Sequence, residues 1–393
     1  MTARVYLPWS PDLLGYDFGP GHPMAPVRMR LAHQLLADLG VLDRPDVVQE
    51  PPEPVADDVL TAVHDADYVR AVRAAADGHA DSERGLGTMD NPLFAAMHDA
   101  SALVSGASVA AAREIWEGRV PHAVNIAGGL HHAMRHRAGG FCIYNDVAVA
   151  IQWLLDHGAA RVLYVDVDAH HGDGVEAAFW DDERVVTISV HQSGDTLYPG
   201  TGFAHDVGGP NAPGTAVNVA LPPGVGDKPW LRALEAVLVP VATEFAPQVL
   251  VSQHGADAHP RDPLTEMNVS IDAQVEAARM IAQVARDHAG DRWLATGGGG
   301  YDVGSAVPRV WAQLVALAAG VEIAADTPTP RSWRALVDSL GLGPAPETMG
   351  EGADVHIRSW VDGYDPADAV DRAIMATRRA AFPSLGLDPL TAW

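Results

Sequence analysis

Eight residues, Asp166-Val167-Asp168-Ala169-His170-His171-Gly172-Asp173, bring three carboxylates and two imidazoles together directly behind the apolar run Val162-Leu163-Tyr164-Val165. Asp168 and His170 stand at alternate positions, so both side chains can aim at one point, as a divalent metal requires. A polar loop whose acids cap the following helix is the competing reading; two imidazoles beside three acids favour the metal. Asp257, in Gly255-Ala256-Asp257, completes a plausible three-ligand set that leaves open positions for water and substrate. Its joining to the other two is not readable from spacing, and an Asp in such a stretch also serves as a turn former. Two oxygens and one nitrogen make a hard ligand set in which Fe2+ competes with Zn2+.

Other residues could move protons or hold charge. His131-His132 follow Gly128-Gly129 and can flank a water and shuttle its proton near neutral pH, although such a pair is often incidental. Asp166 and Asp173 are left over as partners that fix imidazole tautomers. Gly297-Gly298-Gly299-Gly300 followed by Tyr301 presents a phenol on a flexible turn. A phosphate cradle would want Gly-x-Gly-x-x-Gly spacing or a following lysine, and neither is present. A phenol donating to a developing oxyanion suits a hydrolase, with a buried core tyrosine as the alternative.

These residues need elements that converge. Five apolar runs, at 123–127, 162–167, 185–190, 249–252 and 293–296, each stop at polar or glycine residues. Between several of them lie Ala/Leu-rich stretches with helical spacing, at 147–155, 231–245, 271–288 and 305–319. This alternation predicts an α/β fold with a parallel sheet covered on both faces, the reactive residues gathering at the strand C-termini. Residues 194–226 are rich in Gly and Pro and read as a long irregular loop near the site mouth. Pro51-Pro52-Glu53-Pro54 reads as a short extended connection. Residues 1–325 are expected to form the functional domain, with 326–393 an accessory C-terminal segment packed on it.

The 393 residues are 48% hydrophobic and 20% charged, enough to bury a large core. The formal net charge of −25 argues against nucleic acid or an anionic membrane surface as partner and favours cationic partners. Cys142 is the single cysteine, which excludes an intramolecular disulfide and a thiolate-rich zinc site. The opening stretch Met1–Pro8 lacks the apolar core of a signal peptide, and no run reaches the roughly 18 residues of a membrane span. The expectation is a cytoplasmic protein.

With these residues assembled, the chain resembles the zinc-dependent histone deacetylase superfamily, and within it the bacterial acetoin-utilisation deacetylase (AcuC-like) branch. The matching stretches are Gly21-His22-Pro23-Met24, Gly128-Gly129-Leu130-His131-His132-Ala133 and Gly140-Phe141-Cys142-Ile143-Tyr144-Asn145-Asp146. They continue through residues 166–174, Tyr198-Pro199-Gly200-Thr201-Gly202, Gly255-Ala256-Asp257, Asp262-Pro263-Leu264 and residues 297–301. Each fragment is modest, but the ordered set spans residues 21–301. The resemblance implies an arginase–deacetylase fold with a parallel eight-stranded sheet, and a metal held by Asp168, His170 and Asp257. It implies His132 as general base, His131 as electrostatic assistant, Tyr301 as polariser of the acetyl carbonyl, and Asp166 and Asp173 as orienters of the two histidines. Asp90 matches the rim acid that binds the substrate backbone. Gly140, Phe141 and Tyr198 match the walls of the acyl-lysine channel, Leu264 its mouth, and Arg28 the lining of the acetate-release pocket. Structural K+ or Na+ sites would lie near Asp166, Asp168, His170 and Ser189, and near Phe179 and Val185. Tyr198 stands where many members carry a second phenylalanine, which implies a more polar channel. Residues 203–213 are longer and richer in Pro and Gly than the family pattern.

The implied reaction is metal-dependent hydrolysis of acetyl-lysine on proteins, metabolic enzymes among them, or of a small acetylated amine; the oligomeric state stays open. Three alternatives share the fold. An acetylpolyamine amidohydrolase would also suit the acidic surface. A two-metal ureohydrolase would want acids where Gly172 and His259 stand. A non-catalytic acyl-lysine binding protein would be expected to have lost a polar group that this chain retains.

Overall fold

The short apolar runs pair side by side into one sheet of eight strands, all parallel. These are β1 (Val5–Pro8), β2 (Val47–Glu50), β3 (His122–Asn125), β4 (Val162–Asp166), β5 (Val185–Gln192), β6 (Ala216–Leu221), β7 (Val249–Gln253) and β8 (Trp293–Thr296). The computed structural model describes residues 4–391; Met1–Ala3, the start of the stretch read above for a signal peptide, lie outside the described residues. The strand order is β2-β1-β3-β8-β7-β4-β5-β6.

That order positions the site. The chain passes from β3 to β4 without pairing them, and β8 and β7 later fill the space between. Asn125 stands opposite Thr296, Thr296 opposite Gln253, and Gln253 opposite Asp166. Four adjacent strands therefore end at one level, and the four polar motifs begin side by side at the sheet's C-terminal edge, where α/β sheets hold ligands.

The helices are α1 (Val27–Asp38), α2 (Asp57–Leu60), α3 (Ala66–Ala76), α4 (Met97–Trp116), α5 (Asp146–Asp156) and α6 (Asp173–Ala178). They continue with α7 (Asp227–Phe245), α8 (Ile271–His288), α9 (Ala306–Ala318), α10 (Arg331–Ser339) and α11 (Ala369–Ala381). They cover both faces of the sheet, with α4 against α5, α1 against α9, and α7 against α8. Among the described residues no helix is long and apolar enough to cross a membrane.

The sheet corrects one expectation. Residues 194–226 do not form an uninterrupted loop, because they contain β6, which pairs with β5 from Thr187↔Ala216 to Gln192↔Leu221. Glycines and prolines on either side hide a six-residue strand with five buried positions. After residue 326, α10 docks on α1 through Trp333 Nε1, which donates to the Leu31 carbonyl (2.9 Å). α11 lies along β6, where the Thr377 hydroxyl donates to the Asn218 carbonyl (2.5 Å).

One buried histidine couples the fold to pH. His64 is fully buried; its Nδ1 donates to the Met134 carbonyl (3.0 Å) and its Nε2 accepts the Asn145 amide (3.0 Å). Burial lowers its pKa from 6.5 to about 4. The unfolded chain therefore binds the extra proton first, so this contribution is complete above pH 6.5 and is lost as pH falls toward 4. The slope is roughly 1.4 kcal/mol per pH unit for this one group. Urea unfolding at pH 7 and pH 5 should show the loss, and His64→Gln should flatten it; an equal pH dependence in both proteins would clear His64 of the effect.

Candidate active site

The loops after β4 and β7 bring Asp168, His170 and Asp257 together, with one ligand atom from each lying within 4.8 Å of the others. All three are buried. His170 Nδ1 stands 3.1 Å from Asp168 Oδ1 and 2.9 Å from Asp257 Oδ2. The remaining oxygens are already held: Asp168 Oδ2 accepts from Gln253 Nε2 (2.7 Å) and the Gly299 amide (2.8 Å), and Asp257 Oδ1 accepts the Ala169 amide (2.9 Å). Burial and the neighbouring Asp168 charge push the Asp257 carboxyl up. Two like charges kept apart by one imidazole in a buried site suit a dication with bonds of about 2.0–2.2 Å. The residues therefore fit a single metal ion with three protein ligands. Gly299 makes room for it, since a Cβ there would run into both carboxylates.

His131 and His132 face each other across 3.1 Å through their Nε2 atoms. Each Nδ1 donates to a carboxylate at 2.7 Å, Asp166 for His131 and Asp173 for His132. Asp166 Oδ2 also accepts the Tyr164 phenol (2.5 Å). With both Nδ1 positions protonated, the two Nε2 atoms have room for one proton between them. Burial alone would lower His131, yet the charges of Asp166 and Asp168 outweigh it and raise the ring to about 9. Burial and the His131 charge lower His132 to about 4. The proton belongs to His131, and His132 Nε2 is left unprotonated, accepting from it.

Asp90, Gly140, Phe141, Tyr198, Leu264 and Tyr301 line one channel of about 220 Å³, together with Leu197, His132 and His170 at its floor. Tyr198 lies edge-on to the His132 ring (5.0 Å), and Phe141 edge-on to Tyr301 (5.7 Å). Gly140 (φ 51°) passes so close that a Cβ would strike the His132 ring. The Tyr301 hydroxyl has no hydrogen bond among the described residues; its backbone amide donates to Asp262 Oδ2 (2.8 Å). Arg28, expected on an acetate-release pocket rather than on this wall, is set apart from the channel. It lies buried behind it, donating to the Gly298 (3.0 Å) and Gly300 (2.9 Å) carbonyls and sitting between the Tyr301 and Trp311 rings. Of the expected monovalent-cation residues, Ser189 stands opposite Asp166 in the β4–β5 register. Phe179 closes α6 and Val185 opens β5, away from the first group.

Several supporting residues carried no role in the sequence reading. Asp146, fully buried at the start of α5, accepts the Leu130 (2.8 Å) and Gly129 (3.1 Å) amides and the Ser108 hydroxyl, fixing the turn that presents the histidine pair. Asn145 Nδ2 donates to the His131 (3.2 Å) and Ala133 (3.1 Å) carbonyls, and its Oδ1 caps α5 by accepting the Ala148 amide (2.9 Å). An Asn-Asp pair just ahead of an apolar helical run was the available signal. Gln253, last in a buried strand, gave none.

Comparison with known proteins follows the same lines. The family described as Histone deacetylase domain matches residues 22–318. "Acetoin utilization protein AcuC" of Bacillus subtilis (strain 168) is 42% identical over 318 residues, 80% of this chain and 81% of that one. The protein of the same name from Staphylococcus aureus (strain MSSA476) is 37% identical over 317 residues, 80% of each chain. Among solved structures, an HDAC homolog complexed with SAHA superposes with a TM-score of 0.80 at 28% identity, covering 96% of this chain and 100% of that one. The HDA15 HD domain, at 24% identity, shares the fold with a TM-score of 0.78 over 98% of this chain and 97% of its own.

Proposed function

Since the chain belongs to the histone deacetylase family, and so to its hydrolases, we propose that it is a metal-dependent lysine deacetylase that cleaves the amide of acetyl-lysine and releases acetate. One observation carries this reading. At the floor of a single channel three residues that fit a metal ion, an imidazole with an unprotonated Nε2 and a phenol without a hydrogen-bond partner among the described residues converge.

A bound divalent ion, Zn2+ or Fe2+ for this donor set, supplies Lewis-acid polarisation of the amide and lowers the pKa of water toward ~7. The chain's own groups do the rest. His132 Nε2 takes the proton of the attacking water and returns it to the departing amine. His131, held positive by Asp166, stabilises the negative charge that develops beside it. Tyr301 donates its phenol proton to the carbonyl oxygen as that oxygen gains charge. Phe141 and Tyr198 flank the aliphatic stem, Gly140 and Leu264 complete the walls and mouth, and Asp90 at the rim accepts from the substrate backbone. Arg28 acts from behind by holding the Gly298 and Gly300 carbonyls, and so the turn that carries Tyr301. Structural K+ or Na+ ions would steady the loops near Asp166, Asp168, His170 and Ser189, and near Phe179 and Val185. A two-metal reaction is disfavoured: among the described residues only one group of metal-type side chains assembles, and His259 turns to Glu351 (3.0 Å).

The purified protein should release acetate from acetyl-lysine peptides with kcat/KM roughly tenfold or more above that for acetylpolyamines or longer acyl-lysines. A chelator should abolish that turnover. Preference for acetylpolyamines would transfer the assignment to the amidohydrolase reading, and chelator-resistant turnover would refute metal dependence.

A further inference from the structure

A cavity of about 360 Å³ shares no residue with the catalytic channel. It lies between β1, α4, α5 and the proline-rich strap of residues 51–56. The strap is a fixed wall. At one end the Trp9 amide donates to the Glu50 carbonyl (2.9 Å), and at the other the Val55 amide donates to the Ala102 carbonyl (3.1 Å). Between them the strap presses on α4 at Gly106, where a Cβ would strike the Glu53 carbonyl. Such a wall is in place before any ligand arrives.

Two largely buried residues that line this cavity carry polar groups without protein partners. Tyr6 is 4% exposed, and its hydroxyl makes no hydrogen bond among the described residues. Trp153 is 9% exposed, and its indole N–H is likewise unpartnered. Trp153 stacks on the His157 ring (3.8 Å between rings) and has the Arg113 guanidinium over its ring at 5.6 Å. Neither donor is sealed off by protein, so each can meet an occupant of the cavity.

The charge at the cavity gives the occupant its sign. Glu50, Glu53 and Glu114 line it against Arg113 alone. Arg119 already binds Glu114, whereas the Glu50 and Glu53 carboxylates have no cationic partner among the described residues. The Tyr6 phenol is pushed up to about 12 by burial and by the Glu50 and Glu114 charges, which outweigh the opposing charges of Arg113 and Arg119. Val55, Val59 and Val109 supply apolar wall.

We propose that this cavity is a second, non-catalytic binding site for a protonated organic amine, its ammonium between Glu50, Glu53 and the Tyr6 hydroxyl and its apolar body against the valines. The proposal does not rest on the catalytic assignment. Isothermal titration of the full-length protein with tryptamine, the neutral tryptophol and the anionic indole-3-acetate separates charge from shape. Tryptamine should bind one per chain, with tryptophol at least about tenfold weaker and indole-3-acetate weaker still, as charge-assisted hydrogen bonding dictates. The exposed double substitution Glu50→Gln/Glu53→Gln should weaken tryptamine by about tenfold or more, and Tyr6→Phe by a few-fold, without a change in deacetylation. Absence of tryptamine binding, equal binding of the three probes, or tryptamine affinity unchanged in Glu50→Gln/Glu53→Gln would each overturn it.

Discussion

Tyr301→Phe is expected to lower kcat for acetyl-lysine hydrolysis by about 10²–10³-fold, the usual cost of one lost oxyanion donor. KM and metal content should stay near those of the parent. The separation follows from geometry. The phenyl ring keeps its edge contact with Phe141 and its place beside Arg28, so the wall of the channel survives. The hydroxyl holds up nothing else, since it has no hydrogen bond to the described protein. What disappears is a donor used when negative charge builds on the carbonyl oxygen. Burial and the charges of Asp257 and Asp168 hold the phenol well above its ordinary pKa, so it carries its proton throughout the neutral range. Parent-like turnover in this variant would remove Tyr301 from the reaction.

The second large effect lies with the metal. Asp257→Ala should bind less than about a tenth of the parent's metal and lose activity in step, because a catalytic ion held by three protein ligands does not stay with two. The substitution leaves the Ala169 amide without its acceptor and His170 Nδ1 with Asp168 alone. Metal analysis by mass spectrometry beside the activity assay decides it. Full metal occupancy in the variant would show that Asp257 is not a ligand.

Much of this site was legible in the sequence because metal ligation writes itself in residue types. Asp168 and His170 are two residues apart at a strand end, and few structural roles ask for that combination. The pairings of His131 with Asp166 and His132 with Asp173 came from the family resemblance, and the geometry agrees with them. Arg28 came from the resemblance alone, because whether an arginine reaches a pocket depends on packing that no spacing records. Asp146 and Gln253 were silent for a related reason. Their partners are backbone amides and a carboxylate brought near by folding, and a lone polar residue says nothing of them. In the fold, five strands and four helices were readable where apolar runs stopped abruptly. α4 was not, since fourteen of its twenty residues are buried and no polar face marks its period. β1 and β2 were not, since they end at a proline and a glutamate rather than at a glycine- or histidine-bearing motif.

The contact between α11 and β6 has a practical side. β6 is the last strand on its side of the sheet, and a bare terminal strand offers its amides and carbonyls to any passing chain. The helix occupies that position, with Thr377 engaging the Asn218 carbonyl. A version of the protein trimmed at residue 318, where the family match ends, would keep every catalytic group yet lose this guard, and would be prone to self-association for reasons unrelated to its chemistry.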